Sequence, residues 1–412
     1  MDAIAAPADR PRTLSAFRSR DFRLLWGGQT VSFIGDAAFL VALGWRVTTM
    51  TGSAGTLGFV LALMAAAMLS TLLLGGVLAD RHSRRLMMIG SDVARAALVG
   101  VLAAIEGTGH LGLPSLMVLA AAIGFADGFF HPAFGGIVPL VVEQPVLASA
   151  NSMLSIARQG AAIVGPALAA VLYGTAGPTT VWAIDACSFL VSAALLWRAR
   201  PRLLDAAPRE SALRELRAGF RYVMGEAWIW IGIVMATIIL MIAMTPYQAL
   251  LPRLVRQHFD RGVGSYGLLF SLMAVGMVAG SLTFARWNPR RNRVILCYAA
   301  FGINDIGMVA IALSLSHWFP LALAAAVWRG FFVGFAIALW TTLLTELVPT
   351  HFLSRVVSLD FFGSFGLTPV GYAIVGGVAG LFSPAQIIAF GGAAGFVLWF
   401  VPLLFREVRA AA

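Results

Sequence analysis

Twelve apolar stretches, each of roughly twenty residues or more, punctuate this chain, and no other feature constrains its fold as tightly. They run over 22–49, 55–79, 86–106, 113–138, 150–173, 179–198, 227–251, 264–285, 293–315, 317–346, 354–380 and 384–404. A helix rises about 1.5 Å per residue, so about twenty apolar residues cross the hydrocarbon of a bilayer. Barrel strands are excluded, because the blocks are too long and do not alternate. Only 12% of the 412 residues are charged and 59% are hydrophobic, whereas soluble domains carry about a quarter charged. Cytosolic and secreted enzymes are therefore excluded, and the expectation is an all-α membrane protein with twelve transmembrane helices.

All 29 basic residues are arginines, and the net charge is +10. They sit in short clusters between blocks and form no stripe, so no nucleic acid is expected as a partner; such clusters set membrane orientation. Arg81, Arg84 and Arg85 follow the second block, Arg286, Arg290, Arg291 and Arg293 the eighth, and Arg355 the tenth. The long connection 199–226 holds Arg200, Arg202, Arg209, Arg214, Arg217 and Arg221, and Arg406 and Arg409 lie in the last residues. The opposite side is nearly bare, apart from Arg253, Arg256 and Arg261. The bias places both termini and the connection in the cytoplasm of a multi-pass protein. An Arg-only basic set with abundant Ala and Gly suggests a GC-rich bacterial source, and hence the bacterial cytoplasmic membrane.

The expected organisation is a tail over 1–21, a six-helix bundle over 22–198, a linker over 199–226, a second six-helix bundle over 227–404 and a tail over 405–412. The first block starts too late and runs too long for a signal peptide. In the linker, Leu213, Leu216, Phe220 and Val223 recur at helical spacing among arginines between Glu210 and Met224. That pattern suits an amphipathic helix on the inner membrane surface; a solvated linker helix is the alternative. Cys187 and Cys297 lie in apolar stretches and read as small core residues.

The halves repeat one another. Gly58, Met64 and Met68 match Gly267, Met273 and Met277 at an offset of 209, and Gly124 and Gly128 match Gly330 and Gly334 at 206. Ser155, Gly160, Pro166, Gly174 and Gly177 match Ser358, Gly363, Pro369, Gly377 and Gly380 at 203. Glycines coincide easily, but three blocks holding nearly one offset in order do not. A six-span repeat keeps its orientation, so the halves are related by an axis along the membrane normal, with a substrate path between them.

Ionisable groups at membrane depth are costly and by default functional. Asp36, Asp127, Asp305 and Arg329 fall near mid-depth. His131 lies four residues after Asp127, on the same helix face. A carboxylate beside an imidazole in a low-dielectric cavity suits proton exchange, so Asp36 and Asp127 are the leading proton carriers, with His131 assisting. His131 bonded to backbone ahead of Pro132 is the alternative. Asp305 and Arg329 are expected to form a buried pair. Asp92 and Arg95 neutralise each other or join the loop charges described next, Arg158 partners Asp127 or that loop, and Asp185 is a further candidate nearer the outer face. Glu346 reads as interfacial. Trp26, Trp45, Trp328 and Trp340, with Phe and Met residues, are candidates to line a greasy cavity.

Between blocks two and three stands Gly76-Val-Leu-Ala-Asp80-Arg81-His-Ser-Arg84-Arg85. A carboxylate there can pair with an arginine and cap a helix start, forming a latch that breaks when the halves rock. The run resembles the loop signature of the major facilitator superfamily, with Ser83 where that family usually has Gly. Gly160 and Gly165-Pro166 resemble the antiporter motif of its proton-coupled exporters, with Ala169-Ala170 replacing the final Gly pair. Block order and the phrase from Phe17 to Trp26 are most similar to the branch holding macrolide-efflux proteins and the enterobactin exporter.

The resemblance implies two pseudo-twofold related six-helix bundles and secondary transport by a monomer. The partners are a small-molecule substrate, protons and the lipid bilayer, with no cofactor, no metal and no catalytic residues. Export of small amphipathic compounds in exchange for protons is the leading reading. A nutrient importer on the same fold, and a membrane scaffold or lipid-modifying enzyme, are the alternatives.

Overall fold

The computed structural model describes residues 14–202, 212–287, 289–314 and 318–409 as helices joined by short turns. They are α1 (Arg20–Thr51), α2 (Ala54–Arg81), α3 (Arg84–Gly107), α4 (Leu113–Val141), α5 (Leu147–Arg198), α6 (Ala212–Gly225), α7 (Ala227–Ile239), α8 (Thr245–Gln257), α9 (Val263–Trp287), α10 (Arg293–Leu313), α11 (Phe319–Leu347), α12 (Thr350–Phe365), α13 (Thr368–Val378) and α14 (Pro384–Leu398). Serines start several of them: the hydroxyls of Ser19, Ser53 and Ser83 accept from the amides of Phe22, Thr56 and Leu86, satisfying donors that have no partner within the helix.

Among the described residues, eleven helical stretches are long and apolar enough to cross a membrane. One of them crosses twice. Gly177, at φ 78° and ψ 176°, splits the 52 residues of α5 into legs over 147–176 and 178–198. A side chain would strain that backbone, and Pro178 offers no amide to continue the ladder. Conversely, α7 and α8 form one crossing joined by a π turn at Leu240–Met244 ahead of Pro246. Twelve crossings result, as the apolar blocks require.

The repeat is visible in atomic detail. A Cβ placed on Gly124 would lie 2.2 Å from the carbonyl oxygen of Met64, and one on Gly128 2.4 Å from that of Met68. In the second half, Gly330 stands 1.9 Å from the Met273 oxygen and Gly334 2.2 Å from the Met277 oxygen by the same measure. Small residues let helix backbones approach this closely. The α2–α4 and α9–α11 crossings are therefore the same crossing, built twice from the residues that align in sequence.

The halves meet at the end away from the Arg-rich connections. Ser271 Oγ on α9 donates to Ile163 O on α5 at 2.7 Å, in the turn where Pro166 removes an intrahelical donor. Gly267 abuts the Pro166 oxygen, and Gly55 and Gly58 on α2 abut the Gly376 and Tyr372 oxygens on α13. Trp45 leans on Tyr266, and Arg256 donates to Thr48 O at 3.3 Å. At mid-depth and beyond, toward the Arg-rich end, Asp36 is 41% and His131 48% exposed. The space between the halves is accessible from that side.

One expectation on the periphery changes. Cys187 is exposed, not core, while Cys297 is buried with its Sγ 3.6 Å from Ala336 O. In the linker, Glu210 and the side chains of Leu213 and Leu216 lie outside the described residues. The rest of α6 packs on the second half, with Tyr222 stacked on Phe352 at 4.8 Å and Gly219 against Arg355. Val223 is buried and Phe220 exposed.

Candidate functional site

A cavity of about 440 Å³ lies between the halves. The first half contributes α1, α2, α4 and α5, and the second contributes α8, α9, α11 and α13. Its walls are Met64 and Met68 facing Met244, Met273 and Met277, with Tyr247, Tyr266, Tyr372 and Phe270 between them. Tyr372 donates its hydroxyl proton to Gln248 Oε1. Two charged residues reach this lining, Asp127 from α4 and Arg329 from α11.

Asp127 is the visible edge of a larger cluster. Arg95 on α3 holds Asp92 Oδ1 at 2.5 Å and Asp127 Oδ1 at 3.1 Å, with Asp36 Oδ1 at 3.8 Å. Its guanidinium lies between the rings of Phe130 and Phe189, at 4.3 and 4.2 Å. His131 Nε2 is 3.3 Å from Asp127 Oδ2. On the far side, Ser192 Oγ donates to Asp92 Oδ2 at 2.7 Å and receives from Gln29 Nε2 at 2.9 Å. Exposure is graded: Asp92 has none, Asp127 is 22% exposed and Asp36 twice that. A chain of polar groups thus leads from the cavity into the bundle. Asp185 is buried nearby, where its Oδ1 lies 2.3 Å from a Cβ built on Gly35, the neighbour of Asp36.

Of the two expected readings of Asp92 and Arg95, mutual neutralisation is the one that forms, at 2.5 Å within this cluster. Other expected partnerships do not form. Among the described residues Arg158 has no acidic partner; its guanidinium sits over Phe33 and Phe134 at 5.2 and 5.8 Å. Asp305 and Arg329 are not paired. Asp305 takes an amide proton from Asn304 at 2.8 Å and faces Gly395 on α14, whereas Arg329 turns into the cavity. The expected tryptophans do not line it either. Trp26 donates to Met153 O, Trp328 to Ile303 O and Trp340 to Asp360 Oδ2, while Trp45 is buried against Tyr266.

In the loop motif the side chains of Asp80 and Arg81 lie outside the described residues. Gly76 has open space where a Cβ would be. Arg84 Nη1 donates to Gly136 O at 2.6 Å, and Arg85 donates to Leu196 O at 2.9 Å and to Trp197 O. These bonds tie both cations to the last turns of helices within the first half. At offset 209, Arg293 makes the equivalent link to the end of α11, with Glu346 Oε2 at 2.6 Å. In the antiporter-like helix, Gly165 packs tightly on α1, with Ala37 Cβ 2.5 Å from an added Cβ, and Pro166 lines the cavity. Gly160 touches nothing there.

Residues 25–364 match the family model of the Major Facilitator Superfamily. The chain belongs to that superfamily. Among the superfamily's curated members it is 26% identical to macrolide efflux protein A of Streptococcus pyogenes, over 82% of this chain and 84% of the relative. It is likewise 26% identical to the enterobactin exporter EntS of Salmonella typhimurium, over 93% of this chain and 91% of the relative. Among solved structures, the nucleoside transporter NupG superposes with a TM-score of 0.77 at 11% identity, covering 93% of this chain and 99% of that one. A bacterial homologue of the iron transporter ferroportin, in its inward-facing state, gives 0.73 at 14% identity, covering 92% and 98%. The major facilitator fold and a multi-pass membrane transporter follow from these matches. A scaffold or lipid-modifying enzyme does not.

Sequence reasoning missed the tyrosines. Tyr247, Tyr266 and Tyr372 look like any aromatic in an apolar block, and only the crossing of the halves brings them together. Gln29 and Ser192 were equally silent, although a polar residue in mid-span is itself a signal.

Proposed function

We propose that this transporter exports small amphipathic compounds in exchange for protons by alternating access, with the Arg-rich end and both termini in the cytoplasm of a bacterial inner membrane. The observation that carries the reading is the Arg95 cluster, whose edge, Asp127, stands in the wall of the cavity. Three carboxylates lie within 4 Å of one guanidinium, an excess of negative charge that a bound proton or a protonated His131 offsets. Protonation at Asp36 or Asp127 favours one arrangement of the halves, and cargo favours the other. Coupling needs only that each ligand binds the two arrangements differently.

Apolar walls rich in methionine suit cargo of varied shape, because thioether side chains repack easily. Both the efflux relatives and the Gly165-Pro166 element favour export. In this reading Asp80, Arg81, Arg84 and Arg85 latch the halves when the cytoplasmic end closes. The protein works as a monomer.

Cells lacking their other exporters, with and without this protein, separate export from import. Export predicts lower intracellular accumulation and raised tolerance for a subset of an amphipathic compound panel. Greater accumulation in expressing cells would make the protein an importer.

A further inference from the structure

Among the described residues, no carboxylate lies within 4 Å of the buried cation Arg329. It is 2% exposed, yet it lines the cavity. Among the described residues, its Nη1 and Nη2 donate to the sulfurs of Met273 and Met244, at 3.6 and 3.2 Å, weak acceptors both, and it also interacts with the Tyr247 side chain. The guanidinium carbon lies 4.0 Å over the Tyr247 ring, and Nε has no acceptor. The acids that face this region are engaged elsewhere. Asp305 on the adjacent helix takes an amide proton from Asn304 on Oδ1 and points its unpartnered Oδ2 toward α14, more than 4 Å from the guanidinium, and Asp127 across the cavity belongs to Arg95 and His131. Leaving a guanidinium unpaired in a dry wall is costly, which points to a partner that comes and goes.

We propose that Arg329 receives an anionic oxygen group of the cargo, so that the compounds handled are amphiphiles carrying a carboxylate or a similar acid. This rests on reading the central cavity as the cargo site. A guanidinium offers two parallel N–H donors matched to a carboxylate, which a methionine or tyrosine cannot imitate. The methionines and Tyr247 around it take the apolar body. Arg158 extends the path. It precedes the cavity-lining Ala162 and Pro166 by four and eight residues, on the same face of α5 and nearer the open end. Among the described residues its partners are likewise rings, those of Phe33 and Phe134. An anion entering from the open end thus meets Arg158 and then Arg329. Asp36, Asp127 and His131 stand across from Arg329, in the first half with Arg158.

The test uses the full-length protein in lipid nanodiscs and two matched fluorescent probes, dansylglycine and its uncharged amide. The acid should bind at least about tenfold more tightly than the amide. Arg329→Gln should abolish that preference without changing the amide's affinity, and Arg329→Lys should retain part of it. Equal binding of acid and amide by the unaltered protein would overturn the proposal. So would equal weakening of both probes by Arg329→Gln, because that is the signature of a residue that only supports the wall. Failure of both probes to bind folded, unaltered protein would instead remove the cavity as the cargo site, and the role of Arg329 with it.

Discussion

Arg95 Nη1 lies 3.1 Å from Asp127 Oδ1, and this one bond joins a buried charge network to the wall of the central cavity. Everything inward of it, from Asp92 to Ser192 and Gln29, is closed to solvent. Everything outward, Asp36 and His131 included, is open to the space between the halves.

Removing the guanidinium should therefore be felt as a loss of stability. Asp92 has no exposure and sits 2.5 Å from Arg95, and breaking a buried pair from one side costs about 3–5 kcal/mol. Arg95→Gln should lower the thermal midpoint of the detergent-solubilised protein, followed by fluorescence-detected size exclusion. Adding Asp92→Asn should restore part of the loss. An unchanged midpoint in the single variant would mean that the network does not hold the bundle together.

The glycine crossings make a sharper comparison. An added Cβ on Gly330 falls 1.9 Å from a backbone oxygen, and on Gly160 it meets nothing. Gly330→Ala should cost about 1–3 kcal/mol through forced backbone movement. Gly160→Ala should be neutral or gain up to about 1 kcal/mol from helix propensity. The same thermal assay reads both, and equal effects at the two sites would contradict the geometry.

Closure at the Arg-poor end depends on α5 and α9 touching. Gly267→Val drives a side chain toward the Pro166 oxygen, 2.5 Å from the first added carbon. Spin labels at the exposed positions Thr175 and Leu381, one in each half at that end, should then show longer and broader distances by pulsed EPR. A distribution identical to that of the labelled parent would show that this contact does not set the closed state.

The fold was legible because its causes are local. Block length sets the crossings, and the Met and Gly residues that align in order at offsets of 209 and 206 disclose the duplication. The site was legible only in part. The pair Asp127 and His131 could be read from a four-residue spacing, but the meeting of Arg95 with Asp36 and Asp127 depends on how three helices rotate about their axes. Apolar blocks leave that rotation undetermined. The expected pair of Asp305 with Arg329 failed for the same reason: adjacent helices at one depth need not present their charges to each other. The bonds of Arg84 and Arg85 to the Gly136 and Leu196 carbonyls, within one half, were not legible from the motif's spacing.

Proton movement measured in proteoliposomes with an entrapped pH indicator tests the central claim most directly. A compound identified by the accumulation panel should drive proton flux opposite to its own transport through the unaltered protein. Asp127→Asn should bind that compound and move no protons with it. Undiminished coupled flux in that variant would contradict the account, because the cavity and the charge network would then work without the residue that joins them.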